Sequence, residues 1–278
     1  ACDITDPLQV RGVFERIAAS PYPLRGLVHA ATVIDDSLIR NLDGEQLQRV
    51  LEPKAKGAQY LHELTRELPL DFFVMFSSAT TLFGNPGQAN YVAANYWLEA
   101  LARHRRGQGL AATAVLWGAI DDVGFLARNE QIKDALQSRM GGAALRAEVA
   151  LAHLEQMLLR GDDGIGVLEL EWKALSRFLP SASTPRFLEL VRAHGGDQDD
   201  DNDAEDIQRM LAELDDEQVL ERFVELLKHE VCEILRLPAA RLDTQRPLQE
   251  LGLDSLMSVE LVVALEERFG IRLPVMEL

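Results

Sequence analysis

The stretch Leu251-Gly252-Leu253-Asp254-Ser255-Leu256-Met257 lies near the end of the chain, between two segments with helical periodicity. A helix is predicted over Val219–Leu237 before it, and a second over Leu256–Phe269. Ser255 therefore stands at a predicted helix start, where free backbone N–H groups and the helix dipole favour an anion such as a phosphodiester. Asp254 beside it could ligate Mg²⁺ or orient the hydroxyl. Taken alone, Ser255 is more simply explained as a helix N-cap.

The whole stretch is similar to the 4′-phosphopantetheine attachment motif of acyl carrier proteins, Leu-Gly-x-Asp-Ser-Leu, and every fixed position is present. The resemblance implies a small all-α carrier bundle over residues 217–278, with phosphopantetheine attached covalently to Ser255 by a phosphopantetheinyl transferase. It also implies that the upstream residues act on a tethered chain. The acidic residues of the second predicted helix fit the family as a docking face: Glu260, Glu266 and Glu267.

Composition narrows the possible functions. The 278 residues are enough for roughly two domains. The net charge of −17 argues against nucleic acid or an anionic membrane as partner, because both require a basic surface. Cys2 and Cys232 have no metal-ligand spacing, so no metal site is predicted. No apolar run reaches membrane-spanning length and no signal peptide is evident, so the expected location is the cytoplasm.

Residues 1–190 alternate apolar strand-like runs with helical patterns, which predicts an α/β domain with a parallel, Rossmann-like sheet. Helices are expected between and after the strands. The predicted strands are Leu24–Ala31, Asp71–Ser77, Ala112–Trp117 and Gly164–Trp172, and the predicted helices are Leu8–Ala18, Leu47–Leu68, Ala89–Arg106 and residues 143–160.

An acidic run separates this region from the carrier stretch. Seven of the twelve residues from Gly195 to Asp206 are acidic and none is basic. Such a run repels itself and has no core to bury, so we predict a linker over residues 193–216, between domains at 1–192 and 217–278. Both chain ends read as cut, so each domain is expected to be partial.

Four polar residues of the first domain have the chemistry of a carbonyl reduction. Ser78 follows a predicted strand, at the sheet edge where α/β domains bind ligands. Tyr91 follows thirteen residues later and Asn95 four residues after that, on the same helical face. Lys54 lies on an earlier predicted helix. A tyrosine can donate a proton, and a neighbouring ammonium is expected to lower its pKa.

The segments Phe76-Ser-Ser-Ala and Gly87-Gln-Ala-Asn-Tyr-Val-Ala-Ala-Asn95 resemble the ketoreductase domain of modular polyketide synthases, a short-chain dehydrogenase/reductase family. In most such reductases the lysine follows the tyrosine by four residues, but in this family lysine and asparagine exchange places. The resemblance implies that Tyr91 is the proton donor, Ser78 the carbonyl anchor, Lys54 the cation and Asn95 part of the proton relay. Lys56 is a less favoured alternative to Lys54.

The same resemblance implies roles for further residues. Asp3 is expected to contact the adenine of NADPH, and His29 and Ala30 to line the cofactor site. Asp35 and Asp36 follow Ile34 in a segment close to the Leu-Asp-Asp signature of reductases that give the D (B-type) hydroxyl. Trp117, with Gly118, is expected to line the cofactor and substrate pocket.

Two features argue against reductase activity in this piece alone. Thr32 stands where the family usually has glycine beside the nicotinamide, and a Cβ there could crowd the cofactor. No GxGxxG-type stretch occurs in the chain, so poor NADPH binding by the piece alone is expected.

These resemblances together imply a fragment of a type I modular polyketide synthase, in which NADPH reduces a β-ketoacyl chain held on the carrier. Ketosynthase and acyltransferase domains are the implied partners, and homodimerisation is left open. Two alternatives remain at this point: a carrier and scaffold segment with a catalytically silent reductase-like domain, and a fatty acid synthase fragment.

Overall fold

The computed structural model describes residues 2–120, 122–124, 126–128, 144–172, 187, 189–190, 193, 216–235, 237–238, 241–244, 246–253, 257–258, 261–262 and 264–265. The chain divides into two compact units, Ala1–Leu170 and Glu171–Leu278. The predicted linker over 193–216 lies almost entirely outside the described residues, so the predicted domain boundaries stay predictions.

The first unit contains a four-stranded, all-parallel sheet in the order β1-β2-β3-β4. The four predicted strands are confirmed, although the first and last are shorter than predicted. β2 and β3 are buried along most of their length, as expected for central strands of a parallel sheet that is covered on both faces. The bounds are β1 Gly26–His29, β2 Phe72–Ser78, β3 Thr113–Trp117 and β4 Ile165–Val167.

Two apolar layers enclose this sheet. On one face, side chains of α1, α3 and α5 pack against Phe73 and Met75 of β2. On the other face, α6 packs against Val74 and Val115. Alternate residues of a strand point to opposite faces, which explains why neighbouring strand residues enter different layers. The helices are α1 Pro7–Ala18, α2 Gly44–Leu51, α3 Gly57–Thr65, α4 Thr80–Phe83, α5 Ala89–Gly107 and α6 Ala147–Arg160.

The helix predicted over Leu47–Leu68 is interrupted. A π-helical turn, Glu52–Lys56, joins α2 to α3. Pro53 within it has no N–H to donate, so the regular hydrogen-bond ladder cannot continue through this position. Short π-helical turns often occur at functional sites, because the extra residue re-aims the side chains around it. Lys54 lies in this turn and is buried.

The second unit contains a helix, α7 Asp216–Leu235, and a 3₁₀ turn, Leu248–Leu251. The turn ends at Gly252, whose φ of 102° strongly favours glycine. Residues 257–258, 261–262 and 264–265 are helical, within the second predicted helix. Ser255 and its two neighbours lie outside the described residues. The buried side chains form one apolar cluster: Val231, Ile234, Leu235, Leu253, Leu261, Ala264 and Leu265.

Among the described residues, no helix has the length and apolar character needed to cross a membrane.

Two glycines of the first unit should respond to alanine with opposite signs. A Cβ on Gly118 would come within 2.6 Å of the Leu168 Cβ and 2.9 Å of its Cα, so Gly118→Ala should lower the free energy of unfolding by about 1–3 kcal/mol. A Cβ on Gly12, inside α1, would meet nothing within 4 Å, so Gly12→Ala should raise it by about 0.5–1 kcal/mol. Urea unfolding of both variants measures the two effects, and a shared sign would contradict the packing described here.

Candidate functional site

Ser78 ends β2 at the carboxyl edge of the sheet and is buried. Its Oγ accepts hydrogen bonds from the Thr80 backbone N–H at 3.2 Å and from Thr80 Oγ1 at 3.0 Å. Both of these bonds use lone pairs of the serine oxygen. The hydroxyl proton of Ser78 is therefore left to donate to an acceptor such as a carbonyl oxygen.

Tyr91 and Asn95 lie one turn apart on α5, as predicted. Asn95 is fully buried, and its Nδ2 donates to the Tyr91 backbone oxygen at 2.8 Å. Its Oδ1 is buried and has no hydrogen-bond partner among the described residues. A buried acceptor without a partner is costly in a finished core, so it marks a position that a ligand or water can satisfy.

The loop before α5 needs two glycines. Gly84 has φ 79° and Gly87 has φ 81°, both in the left-handed region that favours glycine. The Gly87 carbonyl also accepts the Ser37 backbone N–H at 2.8 Å, which joins this loop to the segment after β1. Together these features fix where α5 starts, and thus where Tyr91 lies.

Lys54 brings a buried cation to the same place. It is 2% exposed, and its Nζ donates to the Phe76 carbonyl of β2 at 2.8 Å. The same Nζ lies 5.6 Å from the centre of the Tyr91 ring. Burial lowers the pKa of Lys54 to about 8. Lys56 is exposed and pairs with Glu52 instead, so the geometry favours Lys54 as the cation.

Tyr91 has a raised pKa, so the expectation of a lowered value is wrong for this structure. Burial raises it and is the largest cause, whereas hydrogen bonding to the side chains of Asn95, Ser78 and Thr32 lowers it. Burial dominates because a phenolate loses its hydration when it leaves water. The tyrosine therefore keeps its proton at neutral pH, which a proton donor requires.

The predicted cofactor residues lie in different environments. Asp3 is exposed, and its Oδ1 accepts from the backbone N–H and the hydroxyl of Thr5 at 2.9 and 2.8 Å. Ala30 is exposed after β1. His29 is only 3% exposed, with its Nε2 at 3.1 Å from the Lys54 carbonyl oxygen. Cofactor contact by these three residues stays a prediction.

The two aspartates of the stereochemical signature are held differently. Arg49 Nη2 donates to the Asp35 carboxylate at 2.7 Å, and this bond is the main cause of its lowered pKa. Asp36 accepts from Gln88 Nε2 at 2.9 Å, and partial burial raises its pKa. Asp36 also lies close enough to raise the pKa of Tyr91 slightly. Asp36 is therefore the aspartate nearer the site, while Asp35 is fastened to α2.

The Trp117 side chain is buried in the apolar cluster under α6, with its ring 5.3 Å from that of Phe76. Its Nε1 has no hydrogen-bond partner among the described residues. Its predicted place in the pocket lining stays a prediction.

Sequence reasoning missed a buried carboxylate next to the site. Glu99 is 6% exposed and accepts a hydrogen bond from Ser77 Oγ at 2.8 Å. It lies four residues after Asn95 and eight after Tyr91, so the three form a polar stripe on the inner face of α5. The four-residue spacing of these polar residues on an otherwise apolar helix face was the sequence signal that could have indicated Glu99. The Ser77–Glu99 bond fastens α5 to β2, beside the residue that ends the strand.

The donor set fits a nicotinamide cofactor. Lys54 donates to one carbonyl, and no other acceptor for its three N–H groups is found among the described residues. The Asn95 Oδ1 acceptor is also open, so the site offers donors and an acceptor to ribose-type hydroxyl groups. Within the described residues no group of three His, Cys, Asp or Glu side chains is arranged to hold a metal ion.

The buried ammonium should cost stability at neutral pH. The folded protein binds fewer protons at Lys54 than the unfolded chain between pH 8 and 10.5, so the free energy of unfolding should rise across that window. Lys54→Met should therefore be more stable than the parent at pH 7, by about 3 kcal/mol, and this difference should shrink towards pH 10. Urea unfolding at both pH values measures it. Lys56→Met is the exposed control, and an equal effect there would contradict the assignment.

Comparison with known proteins identifies both parts of the chain. A family model described as "KR domain" matches residues 1–122, and one described as "Phosphopantetheine attachment site" matches residues 225–278. The phthioceranic/hydroxyphthioceranic acid synthase of Mycobacterium tuberculosis is 36% identical over 277 residues, which are 98% of this chain and 12% of the synthase. The spectinabilin polyketide synthase system protein NorB of Streptomyces orinoci is 37% identical over 281 residues, 99% of this chain and 13% of that protein.

A solved relative has the same fold. A structure described as an A-type ketoreductase from a modular polyketide synthase aligns with a TM-score of 0.59 and 37% identity, covering 63% of this chain and 37% of its own. The chain thus spans about an eighth of the length of the curated synthases it matches. The chain belongs to the polyketide synthase family, with a Rossmann-like ketoreductase region followed by a phosphopantetheine-binding carrier domain.

Proposed function

We propose that the first unit reduces the β-carbonyl of a β-ketoacyl thioester to a hydroxyl with NADPH, while the chain is tethered to the carrier. The observation that carries this proposal is the convergence of Lys54, Ser78 and Tyr91. These residues come from three separate elements, yet the Lys54 ammonium lies 5.6 Å from the centre of the Tyr91 ring, and the Ser78 side chain is close enough to lower the pKa of Tyr91.

The proton steps follow from the donors. The substrate carbonyl oxygen would accept hydrogen bonds from the Ser78 hydroxyl and the Tyr91 phenol, which polarise the carbonyl. Bound NADPH supplies the hydride to the carbonyl carbon. As negative charge develops on the oxygen, Tyr91 transfers its proton there, so the hydroxyl forms without a free alkoxide.

Lys54 would stabilise the phenolate left on Tyr91. Its pKa of about 8 keeps it largely protonated at neutral pH, and the low dielectric of its buried position strengthens its attraction to a new negative charge. Asn95 would fix the helical turn that carries Tyr91, because its Nδ2 donates to the Tyr91 backbone carbonyl. Its Oδ1, which has no partner among the described residues, would bind a water molecule that returns a proton to Tyr91.

The carrier domain would hold the substrate on phosphopantetheine at Ser255, loaded by a phosphopantetheinyl transferase. The turn at Gly252 and the burial of Leu253 support this proposal, because they fix the first residues of the attachment motif to the apolar cluster. A flexible arm raises the effective concentration of the substrate at each domain it visits. The net charge of −17 suits docking on basic patches of ketosynthase and acyltransferase domains, in the cytoplasm.

We propose the D (B-type) hydroxyl configuration from Ile34, Asp35 and Asp36. The support is the position of Asp36 next to the electrostatic environment of Tyr91.

A second candidate is a carrier and scaffold segment with a silent reductase. The Thr32 side chain is close enough to lower the pKa of the Tyr91 phenol, and it would compete there with a substrate carbonyl. A silent reductase predicts no NADPH oxidation by the full-length synthase with a β-ketoacyl thioester.

Tyr91→Phe should abolish reduction in the full-length synthase, because phenylalanine keeps the ring but has no proton to donate. We expect a loss of at least about a hundredfold in the rate of NADPH oxidation with a β-ketoacyl thioester. The matched control is Tyr96→Phe, since Tyr96 lies on the same helix and is 56% exposed. Undiminished reduction by Tyr91→Phe would rule out Tyr91 as the donor.

Ser255→Ala should abolish phosphopantetheine loading and leave NADPH-dependent reduction of a free substrate thioester intact. The measurement is intact mass after incubation with coenzyme A and a broad-specificity phosphopantetheinyl transferase. Ser258→Ala, three residues later, is the control and should still gain one phosphopantetheine group. Loading of Ser255→Ala would place the attachment elsewhere.

A further inference from the structure

His29 lies at the end of β1 and makes one polar contact that its predicted cofactor role does not explain. Its Nε2 is 3.1 Å from the Lys54 carbonyl oxygen, inside the π-helical turn. A carbonyl oxygen only accepts hydrogen bonds, so Nε2 must carry the proton and donate it. The side chain is 97% buried, and burial lowers the pKa of His29 to about 4, so the imidazole is neutral at neutral pH.

The contact with His29 fixes the backbone of Lys54, and a second hydrogen bond fixes the Lys54 side chain. The Lys54 carbonyl receives His29, and the Lys54 ammonium donates to the Phe76 carbonyl. Both anchors come from neighbouring points of the sheet, because His29 of β1 is in register with Met75 of β2, the residue before Phe76. The sheet edge therefore fixes both the backbone and the side chain of Lys54.

The packing around the ring is shaped for an imidazole. A Cβ on Gly57, the residue after the π-helical turn, would lie 3.3 Å from His29 Cε1 and 2.7 Å from Ile4 Cγ1. The missing side chain lets the ring lie against the turn. The Gly57 N–H is shared between the carbonyls of Glu52 and Lys54, so it also contacts the oxygen that receives His29.

We propose that His29 is a positioning residue, which holds the π-helical turn so that the Lys54 ammonium stays buried beside Tyr91. The inference rests on the proposed reductase function of that site. In this role His29 acts through Lys54. Without its hydrogen bond the backbone of the π-helical turn should loosen, and the ammonium should move towards solvent.

The first test observes His29 directly. In the parent protein with ¹⁵N-labelled histidine, we expect one signal of a neutral imidazole with the proton on Nε2, unchanged from pH 5 to pH 8, and absent in His29→Gln. A proton on Nδ1, or titration near the ordinary pKa of 6.5, would overturn the proposal. This measurement requires neither cofactor nor reductase activity.

The second test compares two variants by the titration of Lys54, followed with ¹³C-labelled lysine and assigned with Lys54→Met. His29→Leu removes the donor, and the pKa of Lys54 should rise by about one unit, a tenfold change in its protonation equilibrium. His29→Gln keeps an N–H at a similar reach and should preserve the parent pKa. The control is His153→Leu, because His153 is exposed on α6.

The outcomes separate this proposal from the proposed function. If His29→Leu lowers the melting temperature but leaves the Lys54 titration unchanged, His29 is only a packing residue and the proposal fails. If the titration moves as expected but Tyr91→Phe still reduces the substrate, the coupling of His29 to Lys54 holds and the reductase assignment fails. If His29→Leu does not fold, an unshifted Lys54 pKa in His29→Gln supports the proposal, and a shifted one overturns it.

Discussion

The hydrogen bond between the Lys54 ammonium and the Phe76 carbonyl, at 2.8 Å, is the interaction on which the candidate site depends. Burying a cation is costly unless polar groups replace its water, so the surroundings must be built to hold it. A strand carbonyl, a π-helical turn and a histidine supply that support. The lowered pKa of Lys54 measures the remaining cost of burial, which a purely structural lysine would avoid by reaching solvent.

Helix α5 carries the other half of the site and is itself fixed to the sheet. Its inner face bears Tyr91, Asn95 and Glu99 at four-residue spacing, and Ser77 binds Glu99 from β2. Since Ser77 precedes Ser78, this bond holds α5 beside the end of β2 that carries Ser78. The buried polar atoms are paired along most of this stripe, and the open Asn95 Oδ1 lies where chemistry is proposed.

The second unit has a different physical requirement from the first, because it carries an attachment residue. A carrier needs a stable cluster and an accessible attachment residue, so a short apolar core is enough. Val231, Leu261 and Leu265 belong to that core, and Gly252 ends the 3₁₀ turn with a backbone conformation that directs Leu253 into it. Leu251, Gly252 and Leu253 are the first three residues of the attachment motif, so the packing of the cluster fixes the start of that motif.

The sequence by itself determined the α/β class, the strand and helix order, the carrier motif, and the candidate set Lys54, Ser78, Tyr91 and Asn95. Periodicity and motif spacing are local properties of a chain, so they could be read directly. Only the tertiary structure decided that Lys54 rather than Lys56 turns inward, that the π-helical turn interrupts the predicted helix, and that His29 binds the Lys54 carbonyl. It also decided that burial raises the pKa of Tyr91, where the sequence led us to expect a lowered pKa. Burial and side-chain direction arise from contacts between residues far apart in the chain, and no local pattern records them.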